Sequence, residues 1–148
     1  MSNQLLIQYF HWYYQDEQPL WLKIKNEANN LSTLGITGAW LPPAFKATSG
    51  GYSVGYDSYD LYDLGEFDQK NTVATKYGNK EAYLEAINAL KENQIITIAD
   101  VVFNHKAGAD ALEKICVRRV DEHNRYEFTS EVMEIEAWTR FDFPGRAG

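Results

Sequence analysis

Between Leu5 and Phe103 the apolar residues change period four times, and this succession limits the folds open to the chain. Leu5–Phe10 (Leu-Leu-Ile-Gln-Tyr-Phe) is a short apolar run that reads as a buried strand. Over 20–34, Trp21, Ile24, Ala28 and Leu31 recur at helical spacing, and Gly35 follows where a helix C-terminus favours positive φ. Ile36–Leu41 reads as a second strand, ended by Pro42 and Pro43, which have no N–H to give a sheet. Asn79 is placed to cap a second helix with Tyr83, Ala86, Ile87 and Leu90 on one face and Asn93 as its stop. Ile95–Phe103 is apolar but for Thr97 and Asp100, which predicts a third strand covered on both faces.

Strand, helix, strand, helix, strand implies a parallel sheet with right-handed crossovers, either a doubly wound open sheet or a (β/α)8 barrel. An open nucleotide-binding sheet places a glycine-rich turn after its first strand. Here that position holds Tyr9-Phe10-His11-Trp12-Tyr13-Tyr14, which cannot cradle a phosphate, so the barrel is preferred. A barrel takes about 250 residues. At 148 residues the chain is expected to be an incomplete α/β barrel, holding the first three βα units. Residues 42–78 have no sustained period and are dense in Gly, Tyr, Ser and Asp; a loop this long inside a domain points to function. After Lys106 the pattern breaks into short mixed segments, with no internal repeat or low-complexity tract.

Composition narrows the partners. Hydrophobic residues are 45% and charged residues 24%, a globular balance. The net charge of -7 disfavours phosphate backbones, so nucleic acid is not expected as a partner. No apolar run is long enough for a bilayer. The start, Met1-Ser2-Asn3-Gln4, has no basic or apolar leader pattern, so a cytoplasmic location is expected. The single cysteine, Cys116, has no partner for an internal disulfide and is expected to be a buried, inert thiol.

In a barrel the working residues follow the C-terminal ends of the strands. Those positions hold Gln8, Tyr9, His11 and Trp12, then the tyrosine-rich loop, then Asp100, Asn104 and His105. Aromatic residues make up 14% of the chain. Rings beside hydrogen-bonding groups suit a sugar, whose apolar face stacks on Tyr or Trp while its hydroxyls need polar partners. Taken alone, the same rings could equally be core. Asp100 stands out because a carboxylate in an apolar strand is costly unless it is paired or hydrogen-bonded.

The segment Asp100-Val101-Val102-Phe103-Asn104-His105 resembles the first conserved region of the α-amylase family of glycoside hydrolases. Asp100–Asp110, Gly55–Phe67, Thr75–Gly78 and Trp138–Arg146 are similar to segments of liquefying bacterial amylases and their cytoplasmic relatives, in the same order. The resemblance spans about Leu5 to Gly148. It implies residues 1–105 as the N-terminal part of a catalytic barrel domain A, and residues 106–148, opened by Lys106, as the start of an inserted domain B. It implies an endo-acting, retaining, Ca²⁺-dependent hydrolase of α-1,4-glucans such as starch, glycogen and maltodextrins, with the remainder of the same polypeptide as the other partner.

Residue by residue, the resemblance makes Asn104 a calcium ligand, through a carbonyl oxygen that is a hard donor. It makes His105 a hydrogen-bonding group to the sugar in the cleaved subsite. Asp100 supports that subsite, in the family together with an arginine from the fourth strand, and Tyr56 stacks under the same sugar. Trp12 and Gln8 are further substrate-binding positions. Retaining glycosidases need two carboxylates about 5–5.5 Å apart. The family places its nucleophile Asp after the fourth strand, its acid/base Glu after the fifth and a further Asp after the seventh; no position here matches them, so this chain alone is expected to be inactive. Asp57, Asp60, Asp63, Glu66 and Asp68 cluster in one loop and read as solvated or hydrogen-bonded loop residues. Two other readings remain: a sibling α-1,6-glucosidase or transglycosylase, and a non-catalytic carbohydrate-binding or partner module on the same barrel.

Overall fold

Three short apolar segments pair side by side and in parallel because a helical crossover after each of the first two returns the chain to the starting end of the sheet. The computed structural model describes residues 4–15 and 17–146. Met1–Asn3, part of the leader expectation, and Gly148, the end of the expected domain B segment, lie outside the described residues. The chain divides into two units, Met1–Gly108 with Pro144–Gly148, and Ala109–Phe143.

The first unit runs β1 (Leu6–Gln8), α1 (Leu20–Thr33), β2 (Gly38–Leu41), β3 (Lys46–Ala47), a 3-10 turn (Gly50–Tyr52), β4 (Ser58–Asp60), α2 (Lys80–Glu92) and β5 (Ile96–Ala99). The sheet order is β1-β2-β5, with Ile7 opposite Ala39 and Ala39 opposite Thr97, both pairings parallel. Both helices form where the period predicts. Trp21, Ile24, Ala28 and Leu31 of α1 are buried, as are Tyr83, Ala86 and Leu90 of α2. These faces meet Ala39, Leu41 and Ile95 in one core, where the Trp21 and Tyr83 rings lie 4.8 Å apart. Gly35, φ 83°, follows α1 in the left-handed conformation.

Asn79 caps α2, its side chain accepting from Ala82 N at 2.9 Å. Asn79→Ala is expected to cost about 1 kcal/mol, read as a lower midpoint in urea unfolding; an unchanged midpoint would show that the cap contributes nothing.

Two strand expectations are corrected. β5 covers Ile96–Ala99 rather than Ile95–Phe103, and it is not covered on both faces, since Ile96 is 61% and Ile98 41% exposed. The first strand is likewise not buried, Leu6 being 56% exposed. The reason is alternation in a parallel sheet. Ile7, Ala39 and Thr97 share the face under the helices, so Leu6, Gln8, Trp40, Ile96 and Ile98 point to the other face. No described helix of this unit packs on that face.

The 42–78 segment, though aperiodic, is deeply built in. Lys46, Ser58, Asp60 and Asp63 are fully buried. The Lys46 ammonium donates to the carbonyls of Phe67 (3.0 Å), Thr72 (2.6 Å) and Val73 (2.6 Å) and lies 3.4 Å from Asp63. Asp63 Oδ1 accepts from the backbone N–H of Gly65, Glu66 and Phe67. Gln69 Nε2 joins Asp63 to Asp60 at 3.0 Å each. Of the clustered carboxylates, Asp60 and Asp63 are therefore hydrogen-bonded and not solvated. Burial pushes the Lys46 ammonium below its ordinary pKa, against the opposing pull of Asp63.

Burial also pushes Asp60 upward, but hydrogen bonds from Arg146 (2.7 Å), Gln69 and Tyr62 N outweigh it and hold its pKa below the ordinary carboxylate value. A group depressed on folding stabilises the fold fully above its unfolded pKa, about 3.9, and loses that contribution as pH falls through the folded value. Arg146→Ala is expected to move the onset of acid unfolding to higher pH. A pH titration of intrinsic fluorescence with the same onset in both proteins would contradict this.

The second unit is an antiparallel hairpin of β6 (Ala111–Val117) and β7 (Met133–Arg140), with Ile115 opposite Ile135 and an irregularity between Ala111 and Leu112. This corrects the expectation of short mixed segments after Lys106. Cys116 is also corrected: it is exposed. It shares a strand face with the exposed Leu112 and Lys114. Within this two-strand unit no second layer covers that face.

Candidate substrate-binding site

The parallel register puts the C-terminal ends of β1, β2 and β5 on one side, and the segments that leave those ends carry the candidate residues. Asp100 follows β5 directly, its N–H bonded to Leu41 O at 3.1 Å. Its carboxylate Oδ2 accepts from the Tyr56 hydroxyl at 2.7 Å. This is the partner that a carboxylate leaving an apolar strand requires. Burial first, then the bond to Asp100, pushes the Tyr56 phenol well above its ordinary pKa, so it remains the donor.

Tyr56 is the hub. Its ring lies parallel to Trp12, with 2° between the planes and 6.1 Å between centroids, an offset stack. Its backbone carbonyl faces His105 Nε2 at 2.8 Å, while Asn104 Nδ2 lies 2.9 Å from His105 Nδ1. A carbonyl can only accept, so Nε2 carries a proton and donates to it, while Nδ1 meets the Asn104 side-chain amide. Both ring nitrogens are engaged within the chain, so a ligand hydroxyl reaches Nε2 by sharing or displacing the Tyr56 carbonyl. Trp12 is 60% exposed, leaving its outer face open to a ligand.

Gln8, Phe10, Trp12, Trp40, Tyr56 and Tyr77 line a cleft of about 330 Å³. Gln8 Nε2 donates to Phe10 O at 3.0 Å, and the Phe10 and Trp40 rings meet edge to face at 5.5 Å. Tyr77 is buried, its hydroxyl donating to Val54 O at 3.2 Å, and burial pushes its pKa up to about 12. Gln8, Trp12, Tyr56, Asp100 and His105 are thus linked through one tyrosine or one cleft. His11 is not; it packs edge-on against Tyr14, 5.9 Å between centroids. A larger concavity of about 540 Å³ beside Glu66, Asn79 and Glu85 has no aromatic lining and offers a sugar no stacking face.

Sequence reasoning missed Phe10, Trp40 and Tyr77 as lining residues. Trp40 could have been found, since alternation in 36–41 puts it opposite Gln8 on the uncovered face. Phe10 and Tyr77 depend on loop packing and carry no local signal.

Residues 23–134 match the family described as "Alpha amylase, catalytic domain". The chain belongs to the α-amylase catalytic-domain family. Within that family, it is 54% identical over 148 residues to the cytoplasmic alpha-amylase of Escherichia coli (strain K12), covering 100% of this chain and 30% of that protein. It is 54% identical over 144 residues to an alpha-amylase of Geobacillus stearothermophilus, covering 97% of this chain and 26% of that one. Among solved structures, an alternansucrase in complex with isomaltononaose superposes with a TM-score of 0.72 at 28% identity, over 91% of this chain and 12% of that one. The chain therefore spans about a quarter to a third of the length of these two amylases.

Calcium takes about six to eight oxygen ligands. Asn104 offers Oδ1, which accepts no hydrogen bond among the described residues while Nδ2 is held on His105. Among the described residues no group of three or more His, Cys, Asp or Glu could hold a metal ion. One carbonyl oxygen is not a calcium site, and the described residues do not fit the ion by themselves. No described helix is long and apolar enough to cross a membrane.

Proposed function

We propose that the protein to which this chain belongs is an α-amylase that cuts α-1,4-glucosidic bonds within starch, glycogen and maltodextrins with retention, and that this segment forms part of its subsite wall. The observation that carries the reading is the Trp12–Tyr56–Asp100–His105 constellation, an exposed ring plane beside a fixed hydroxyl, carboxylate and imidazole. The high identity to two amylases supports an amylase over a sibling α-1,6-glucosidase or transglycosylase.

In this reading the pyranose face stacks on the aromatic wall and His105 Nε2–H is shared with a sugar hydroxyl. Asp100, held by Tyr56, keeps Oδ1 for a further donor, which the family resemblance assigns to an arginine of the fourth strand. The nucleophile Asp and acid/base Glu follow later strands, so the bond-breaking groups are not among these residues. Asn104 supplies one oxygen to Ca²⁺, with its other ligands outside this segment. Residues 1–105 form the first three βα units of the barrel, and the uncovered face holding Leu6, Trp40, Ile96 and Ile98 supports this as its interior. Residues 106–148 begin domain B. A cytoplasmic location is supported by the name of the Escherichia coli relative.

The test is hydrolysis of maltodextrin by the full-length protein, followed by proton NMR of the new reducing ends. Internal cleavage releasing the α-anomer first is expected. First release of the β-anomer, or glucosyl transfer without hydrolysis, would sink the reading. Glucan binding without cleavage would favour the non-catalytic module.

A further inference from the structure

Tyr56 makes three contacts toward the site, yet it sits in a loop with no regular structure, and something must hold it there. The residue after it does so. The Asp57 carboxylate accepts from Thr48 Oγ1 through Oδ2 and from Ser53 Oγ through Oδ1, gripping the chain on both sides of the 49–52 turn. Thr48 N–H donates to Asp57 O at 3.1 Å, and Ser53 Oγ in turn accepts from Gly55 N–H at 3.0 Å. Gly55, φ 103°, lies against Pro43, where an added Cβ would come within 2.7 Å of the proline Cβ. Bonds to an ionised carboxylate are about twice as strong as neutral ones, so this clamp holds the backbone flanking Tyr56 from both sides of the turn.

We infer that Asp57 is a positioning residue for the glucan site: with Thr48 and Ser53 it fixes the backbone from which Tyr56 reaches Trp12, Asp100 and His105. The inference rests on the proposed α-glucan reading. It differs from a role in folding alone, because the buried network of Lys46, Asp60, Asp63 and Gln69 is a separate set of bonds that pins this segment. Asp57 acts on the site only through its neighbour, whose side chain meets Trp12 and Asp100 and whose backbone carbonyl meets His105.

The test is a double-mutant cycle in the full-length protein, with kcat and KM measured on maltodextrin. Asp57→Ala is expected to lower kcat/KM by about 10²-fold, the scale of a roughly 1 Å misplacement. Thr48→Val, which keeps the side-chain shape and loses only the hydroxyl, is expected to lower it by about 10-fold. Asp57→Asn should restore most of the loss, since the two hydroxyls can rotate to meet an amide. Tyr56→Ala removes the contacts to Trp12 and Asp100 and keeps the carbonyl on His105; in that background, adding Asp57→Ala is expected to lower kcat/KM by about 10-fold or less, well short of its effect in the parent. Additive losses, or an unchanged kcat/KM in Thr48→Val, overturn the positioning role while leaving the glucan reading standing. Thr48→Val decides the matter if Asp57→Ala does not fold. Wild-type protein that leaves maltodextrin intact overturns the glucan reading itself, and this inference with it.

Discussion

Asp63→Ala is expected to destabilise the protein by about 3–5 kcal/mol, the cost of breaking a fully buried ion pair from one side. Asp63 and Lys46 are both 0% exposed, with 3.4 Å between the charged atoms. Removing the carboxylate leaves the Lys46 ammonium with only carbonyl partners and takes the acceptor from three backbone N–H groups, at Gly65, Glu66 and Phe67. Each buried donor left unsatisfied adds its own desolvation cost. Asp63→Asn should be milder, because the amide oxygen can still receive the three N–H groups. Urea unfolding of the purified variants checks this. A loss below about 1 kcal/mol, the scale of an exposed pair, would contradict a buried network here.

His105→Ala in the full-length protein is expected to lower kcat on maltodextrin by about 10²-fold. His105 meets the Tyr56 carbonyl and the Asn104 amide with its two ring nitrogens, and both contacts fix the ring plane and its proton. A donor aimed at a sugar hydroxyl in advance contributes most where charge develops in the transition state. The residue is exposed, so the fold should tolerate the change, and the unfolding midpoint should stay near that of the parent. An unchanged kcat would remove His105 from the site. A parallel fall in stability would make its role structural.

The helices and their partners were legible because their signals are local. Trp21, Ile24, Ala28 and Leu31 fall on one side of any helix, and Asn79 can cap only a helix that begins at the next residue. The gathering of several candidate residues followed from a different cue. Gln8, Trp12, Asp100 and His105 sit just at or beyond the strand ends, so parallel strands bring them to the same side. Strand covering was not legible, because an apolar run reports what a strand can bury and not which layers stand beside it. Ile96, Ile98 and Leu6 are apolar and exposed for that reason. The 111–117 and 133–140 hairpin was missed although Glu113, Ile115 and Val117 alternate with Leu112, Lys114 and Cys116, because both faces mix charge and apolar groups.

By itself the sequence determined the βαβαβ order and the helix faces, which rest on spacing along the chain, while its resemblance to known segments pointed to the α-amylase family and to the residues worth testing. Only the tertiary structure decided how those residues act together. Tyr56 and Asp100 are 44 positions apart, and Tyr56 and His105 are 49. The bonds between them exist because the aperiodic 42–78 segment folds back on buried Lys46 and Asp63 and on the Asp57 clamp. Such contacts arise from the three-dimensional closure of a loop, which no local period records.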